Sequence, residues 1–320
     1  MLDRVDPESR PALEVVRSTP RPGLTTLDDI VARRERSDRL NAEAVAAAGG
    51  PDPSVRREDR LTPGLDDDPD VPVRIYRPAD ADPGARLPGI LFIHSGGMLL
   101  GSLDGEDRTA AQYAREVGAV VVSSGYRKAP EHPHPAQSRD CFAALRWMVD
   151  HAAELGFDPE RLVVVGGSAG GNLALATALR ARDEHGPALR LVLAAYPMLD
   201  PSNTTASSHA IADLGLWDRA DNLAAWSWWL GGQEPDTYAS PLLEDDWSGV
   251  APVFLDVGTL DLFRDEDIAL ATALAAQGHP VEFHLYPGAY HGSEELAPEA
   301  SLSRRIVAAR LDALRRAVAT

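Results

Sequence analysis

From Gly89 onward the chain alternates short, continuous apolar runs with longer amphipathic stretches. The runs are Ile90 to Ile93, Ala119 to Ser123, Leu162 to Val165, Leu189 to Ala194, Val253 to Val257 and Val281 to Leu285. They are too short for buried helices, and all but Val281 to Leu285, which alternates apolar with polar, are largely continuous, so they predict strands covered on both faces. Between them, residues 108–117, 137–155, 171–182, 266–277 and 299–318 read as helices. Strands that alternate with helices predict a mostly parallel sheet with helices on both faces. Two more strand-like segments come earlier, Val55 to Leu61 and Val71 to Tyr76, bringing the expected sheet to eight strands. The acidic Asp66-Asp67-Asp68 between these two reads as a solvated loop rather than a metal site. Further upstream, Thr25-Thr26 cap an amphipathic helix expected from Leu27 to Ala48, and Gly49-Gly50 end it. Residues 1–26 carry prolines and charges without a clear period, and no repeat of solenoid length is present.

One region interrupts the alternation. About fifty residues separate Pro197 from Pro252, far more than a crossover between neighbouring strands requires. They hold Trp217, Trp226, Trp228, Trp229 and Trp247. Such an insertion, placed at the carboxyl edge of a sheet, is positioned to cover a site. Its tryptophans serve either as the core of the lobe or, for one or two of them, as walls of a ligand cavity.

Composition narrows the range of partners. The 320 residues include 49 acidic and 31 basic side chains, a formal net charge of −18, which disfavours nucleic acid and anionic membrane surfaces. A neutral or cationic small molecule suits this balance better. The single cysteine, Cys141, excludes an intrachain disulfide and lies on a predicted helix face, where a buried structural thiol is expected rather than a nucleophile. Residues 1–10 are charged, and no apolar run approaches ~18 residues, so the expected location is the cytoplasm.

In a parallel sheet, ligands bind beyond the carboxyl ends of the strands, so chemistry is sought just past each apolar run. After Ile93 comes His94-Ser95-Gly96-Gly97-Met98, whose glycine amides can approach a ligand closely. After Ser123 comes Tyr126-Arg127-Lys128-Ala129-Pro130-Glu131. Val165 leads into Gly166-Gly167-Ser168-Ala169-Gly170, a strand-to-helix corner of the G-x-S-x-G kind. Val257 is followed by Gly258-Thr259-Leu260-Asp261, and Leu285 by Tyr286 through Tyr290 and then His291-Gly292. Serine, aspartate and histidine thus occur in that chain order, each just past a strand. A serine hydroxyl is a poor nucleophile unless a neutral imidazole takes its proton and a carboxylate holds the imidazole. The amides of Gly96, Gly97 and Ala169 are placed to receive an oxyanion.

On these motifs the chain resembles the hormone-sensitive-lipase-like family of α/β-hydrolases, the bacterial type IV esterases, from about Ile75 to the C-terminus. The likeness rests on His94 to Ser102, Tyr126 to Glu131 with Pro135-Ala136, Gly166 to Gly171, Ser240-Pro241-Leu242, Asp261 to Glu266, and His291-Gly292. The resemblance implies an α/β-hydrolase fold with Ser168 as nucleophile, Asp261 as orienting acid and His291 as base. It implies an oxyanion hole from Gly96, Gly97 and Ala169, and a cap built from residues 1–50 and 200–247 over a catalytic domain of residues 51–199 and 248–320. The implied activity is hydrolysis of carboxylic esters, with short to medium acyl chains favoured by a cap of modest size. Amide, carbamate and lactone hydrolysis use the same triad, and a non-catalytic small-ligand binding protein is a further alternative. Relatives pair through the edge strand near the C-terminus, and Val281 to Leu285 is apolar enough to permit a homodimer. The chain departs from the family pattern at Ser95, Gly167, Leu262 and Ser293.

Rival positions carry less. Asp256 lies within a strand, Asp265 falls about a helical turn beyond Asp261, and Asp200 leads into the insertion. His284 reads as a core or edge histidine, His94 as a loop-positioning one, and His132 and His134 sit in a proline-rich extended loop that lacks a ligand set. Neither a metal nor a cofactor is expected. Arg127 and Glu131 are expected to contact each other beneath the site, and Asp265, Glu266 and Asp267 to be favourable charges in the first turn of a helix. Met98, Trp217 and Trp226 are the expected pocket residues.

Overall fold

A computed structural model of the protein describes residues 1–47, 49–211 and 214–319. Ala48, the last residue of the expected N-terminal helix, lies outside the described residues, as do Ala212 and Asp213 of the insertion and the terminal Thr320. Every predicted strand forms: β1 (Val55–Thr62), β2 (Val71–Pro78), β3 (Leu87–Ile93), β4 (Val120–Ser124), β5 (Phe157–Gly167), β6 (Leu191–Ala195), β7 (Val253–Leu260) and β8 (Val281–Tyr290). They make one sheet in the order β1-β2-β4-β3-β5-β6-β7-β8. β1 and β2 pair antiparallel, β2 joins β4 antiparallel, and the remaining pairs are parallel. Several strands run past their apolar runs. β8 continues to Tyr290, because ladder hydrogen bonds need backbone rather than apolar side chains.

The helices are α1 (Arg10–Ser18), α2 (Leu27–Ala47), α3 (Asp107–Val117), α4 (Ala136–Asp150), α5 (Ala152–Leu155), α6 (Ala169–Asp183), α7 (Ala206–Ala210), α8 (Arg219–Leu230), α9 (Arg264–Ala276), α10 (Ser293–Leu296) and α11 (Ser301–Ala317). Alternate residues of each central strand feed two separate cores. Leu91, Ile93, Val122, Leu162, Val164, Val192 and Leu255 pack with α4, α6 and α9 on one face. Ile90, Phe92, Val121, Val163, Val165, Leu193 and Phe254 pack with α3 and α11 on the other. Period-2 side chains with apolar residues on both sides give the continuous runs read in the sequence.

Some expectations need correction. Residues 1–26 contain α1, which opens with Pro11 in its first turn and buries Leu13. Its apolar and charged positions follow the helical period, but only over nine residues, too short a stretch to stand out among the flanking prolines. The expected helix 137–155 is divided into α4 and α5 at His151, whose Nδ1 lies 2.8 Å from the Trp147 carbonyl. Arg127 does not meet Glu131. It forks onto Asp140 and reaches Asp68, while Glu131 takes Arg34. The acidic turn is a surface loop as expected, with the Asp66 side chain 83% exposed, and Asp66 and Asp68 also ion-pair with Arg139. In the insertion, Trp229 and Trp247 are fully buried, and Trp226 stacks obliquely on Trp229 with ring centroids 4.9 Å apart. Most of these tryptophans are therefore core.

Candidate active site

The corner after β5 holds Ser168 at φ 55°, ψ −120°, a conformation few residues other than glycine adopt. The neighbouring glycines show what makes it possible. A Cβ on Gly166 would sit 2.1 Å from the Gly170 carbonyl oxygen, and one on Gly170 would sit 2.1 Å from the Ile93 oxygen. Gly167 is different, since a Cβ there would meet only the Tyr196 ring at 3.4 Å, an ordinary contact. The corner is pinned from β6 by the Ser168 amide donating to the Ala195 carbonyl at 2.9 Å. The hydroxyl stands at the N-terminus of α6, where the first-turn amides have no helical acceptors.

Asp261 follows β7 and His291 follows β8, adjacent strands that carry both residues to the same edge of the sheet as Ser168. His291 Nε2 lies 3.0 Å from Ser168 Oγ, and its Nδ1 lies 2.8 Å from Asp261 Oδ2. A carboxylate only accepts, so Nδ1–H donates to Asp261 and Nε2 is left to accept from the serine hydroxyl. The other Asp261 oxygen accepts from the Phe263 amide at 3.0 Å, which fixes the carboxylate plane. All three side chains are buried, with residue exposures of 5%, 1% and 6% for Ser168, Asp261 and His291. The rivals are engaged elsewhere. Asp256 is held by Arg310, Asp265 accepts from the Ser207 amide, and Asp200 caps the Ser202 turn. His284 pairs with Glu282, and His134 Nε2 lies 3.0 Å from Asp236. Among the described residues no cluster of His, Cys, Asp or Glu is arranged to hold a metal ion.

The loop after β3 runs through Gly96 at φ 118°, Gly97 at φ 59° and Met98 at φ 65°. The indole of Trp217 rests on this loop, 2.2 Å from where a Gly97 Cβ would be. Of the expected pocket residues, Trp217 therefore covers the loop. Met98 and Trp226 are buried in the main core. His94 Nδ1 lies 2.8 Å from the Ser95 carbonyl, and its ring stacks on Tyr126 at 4.1 Å. Complete burial pushes the His94 pKa down to about 3, so it stays neutral. Ser95 donates its amide to Glu106 at 2.6 Å, and its hydroxyl donates to the same carboxyl oxygen.

Sequence reasoning missed Tyr196. It follows β6 immediately, so the strand-end rule that located the other groups was the signal for it. Its ring stands edge-on to His291 with centroids 4.7 Å apart, and Phe263 makes a second edge contact at 5.1 Å, so two aromatics pack on the imidazole. The Tyr196 hydroxyl donates to Glu294 at 2.7 Å, and Glu294 and Asp256 share the buried Arg310. Arg310 holds Glu294 below the usual carboxylate range, although burial opposes it. Glu295, the next residue, is exposed, and its carboxylate lies 3.4 Å from the same Tyr196 hydroxyl. Nothing but position relative to the fold marks these acids. Asp267 is a correction: it is fully buried, neither carboxyl oxygen has a hydrogen-bond partner, and burial drives its pKa far above the ordinary value.

A protein-family model described as alpha/beta hydrolase fold matches residues 90–294. The chain is 36% identical to carboxylesterase NlhH of Mycobacterium tuberculosis, covering 98% of this chain and 97% of that protein. It is 36% identical to an ethyl acetate hydrolase of Pseudomonas putida over 69% of this chain and 70% of that one. Among solved structures, a bacterial heroin esterase superposes with TM-score 0.92 at 34% identity, covering 100% of this chain and 99% of that chain. Among the described residues no helix is long and apolar enough to cross a membrane.

Proposed function

The chain belongs to the α/β-hydrolase family, in its hormone-sensitive-lipase-like bacterial esterase branch, and from that premise we propose that Ser168, His291 and Asp261 are its catalytic triad for carboxylic esters. The observation that carries this reading is the continuous chain of hydrogen bonds from Ser168 Oγ through both imidazole nitrogens to Asp261, buried from end to end. As Ser168 Oγ attacks the acyl carbon, its proton passes to His291 Nε2, and Asp261 stabilises the imidazolium. The carbonyl oxygen becomes an oxyanion held by the amides of Gly96, Gly97 and Ala169. Collapse breaks the bond to the alcohol oxygen, which takes the proton from Nε2. Water, activated by the same nitrogen, then adds to the acyl-enzyme and releases the acid and Ser168.

Residues 1–50 and 200–247 form the cap over this site, a reading supported by the buried Arg33–Asp221 pair that joins them. Trp217 on the oxyanion loop supports a short to medium acyl group, as does the likeness to an ethyl acetate hydrolase. The β8 edge, with Val281 and Phe283 beside α9, is the face for a homodimer. Stoichiometric labelling of the wild type by a fluorophosphonate, abolished in Ser168→Ala, is the expected result. A wild type that neither labels nor cleaves any activated ester overturns the triad. A chain-length series of such esters, run beside an amide and a lactone, measures the pocket and leaving-group preference directly.

A further inference from the structure

The proposed oxyanion loop is strained, with three successive positive φ angles that include the non-glycine Met98. A backbone of this kind persists only where its surroundings over-determine it. Four ties do so. Glu106 accepts from the Ser95 amide, the Ala129 amide donates to the Met98 carbonyl at 3.0 Å, and Lys128 Nζ donates to the Gly101 carbonyl at 2.9 Å. The fourth comes from the N-terminal segment: Arg34 Nε donates to the Leu99 carbonyl at 2.7 Å. The same guanidinium reaches the Ala129 carbonyl at 2.8 Å and grips both oxygens of Glu131 at 2.6 and 2.9 Å. One planar fork thus spans the carbonyl two residues beyond Gly97 and the segment that holds Met98.

Its neighbour on α2 faces another body. Arg33 forks onto Asp221 of α8 at 2.7 and 3.2 Å and also donates to the Pro22 carbonyl at 2.8 Å. Arg21 adds bonds to the Gly215 and Leu216 carbonyls and to Asp218, so the segment carrying Trp217 is clasped from the N-terminal side. Consecutive helical residues point about 100° apart, which lets adjacent arginines hold the insertion with one side chain and the oxyanion loop with the other.

We propose that Arg34 is a positioning residue: it transmits the seating of the cap helix α2 to the oxyanion loop and so aims the Gly96 and Gly97 amides at the developing oxyanion. The inference rests on the proposed triad and oxyanion hole. An amide donor contributes to the transition state only when it lies within hydrogen-bond distance of where the charge forms, so loosening Leu99 lowers the chemical rate more than ground-state binding.

The test is steady-state hydrolysis of an activated acetyl ester by Arg34→Met and Arg34→Lys, with a trifluoromethyl ketone inhibitor as a probe of the tetrahedral adduct. Arg34→Met is expected to lower kcat about 10- to 100-fold with KM within about threefold, and to weaken the ketone by a factor that tracks kcat/KM. Arg34→Lys keeps the charge beside Glu131 but cannot serve Leu99 and Ala129 together, so it shows the same split at smaller size. It also carries the test if the methionine variant does not fold. A folded variant whose kcat and ketone affinity stay within twofold of wild type overturns the proposal, as does a loss confined to KM. Failure of the triad reading looks different: there the wild type itself neither labels nor hydrolyses.

Discussion

The two glycines flanking the corner serine make opposite predictions from the same geometry. Gly170 lies in the first turn of α6, where on propensity alone alanine would stabilise the helix by about 1 kcal/mol. The structure reverses that expectation. A Cβ at Gly170 would sit 2.1 Å from the Ile93 carbonyl oxygen and 2.7 Å from that of His94. Both are backbone atoms at the end of β3, and relief demands a retreat of roughly 1 Å by one partner to reach ordinary contact. The atoms displaced lie immediately before Gly96 and Gly97 on one side, or carry Ser168 on the other. A misplacement of about 1 Å at reacting groups costs on the order of 100-fold in rate, equivalent to ~2.7 kcal/mol. Gly170→Ala should therefore lose about that factor in kcat/KM. In Gly167→Ala, by contrast, the new methyl meets the Tyr196 ring at 3.4 Å and should stay within about twofold of wild type. The assay is hydrolysis of an activated short-chain ester, with thermal melting to establish that each variant is folded. A Gly170→Ala enzyme with wild-type kcat, or a Gly167→Ala enzyme as damaged as its partner, refutes the reasoning.

The buried charges give further expected outcomes. Asp261→Asn keeps the shape but presents an amide to His291, disturbing the tautomer that Nε2 needs, and should lower kcat about 10⁴-fold with little change in melting temperature. Asp267→Ala removes a buried carboxyl without a partner and should stabilise the fold by about 1–2 kcal/mol at neutral pH, measured by denaturant unfolding. The sign comes from its raised folded pKa: the native state keeps a proton that the unfolded chain sheds near the ordinary 3.8. Stability supplied by that proton is complete below the unfolded value and is lost as pH rises, so the advantage of the alanine variant should be smallest below about pH 4 and grow above it. A gain independent of pH would sink that account. Arg310→Met leaves Asp256 and Glu294 buried together without their cation and should destabilise by about 3–5 kcal/mol, seen as a lower denaturant midpoint.

The architecture was legible because it depends on patterns that a parallel sheet imposes on its own strands. Central strands covered on both faces are apolar at nearly every position, so Ile90 to Ile93, Leu162 to Val165 and, despite Asp256, Val253 to Val257 announced themselves, and with them the strand ends. Ser168, Asp261 and His291 could be named in advance because each follows such a run. The serine corner was legible for a local reason, since glycine at positions 166 and 170 is what lets β5 turn into α6 against the end of β3. The helix α1 went unread although its residues follow the helical period, because nine residues between prolines are too short a stretch for that period to stand out.

What the chain determined by itself was therefore local: which segments are strands and helices, where they end, and which reactive residue types stand at those ends. Distance was decided only by the fold. The 3.0 and 2.8 Å spacings at His291 depend on β5, β7 and β8 lying in one sheet in the right order, a fact that no single segment contains. The partners of the charged residues were decided the same way. Arg127 could as well have met Glu131 as Asp140, and Arg34 met the oxyanion loop 65 residues away only because α2 lies across it. Apolar burial is driven by a property each segment carries along its own length, whereas an ion pair needs two particular atoms brought together. Sequence proximity says nothing about that meeting once the chain has crossed the sheet.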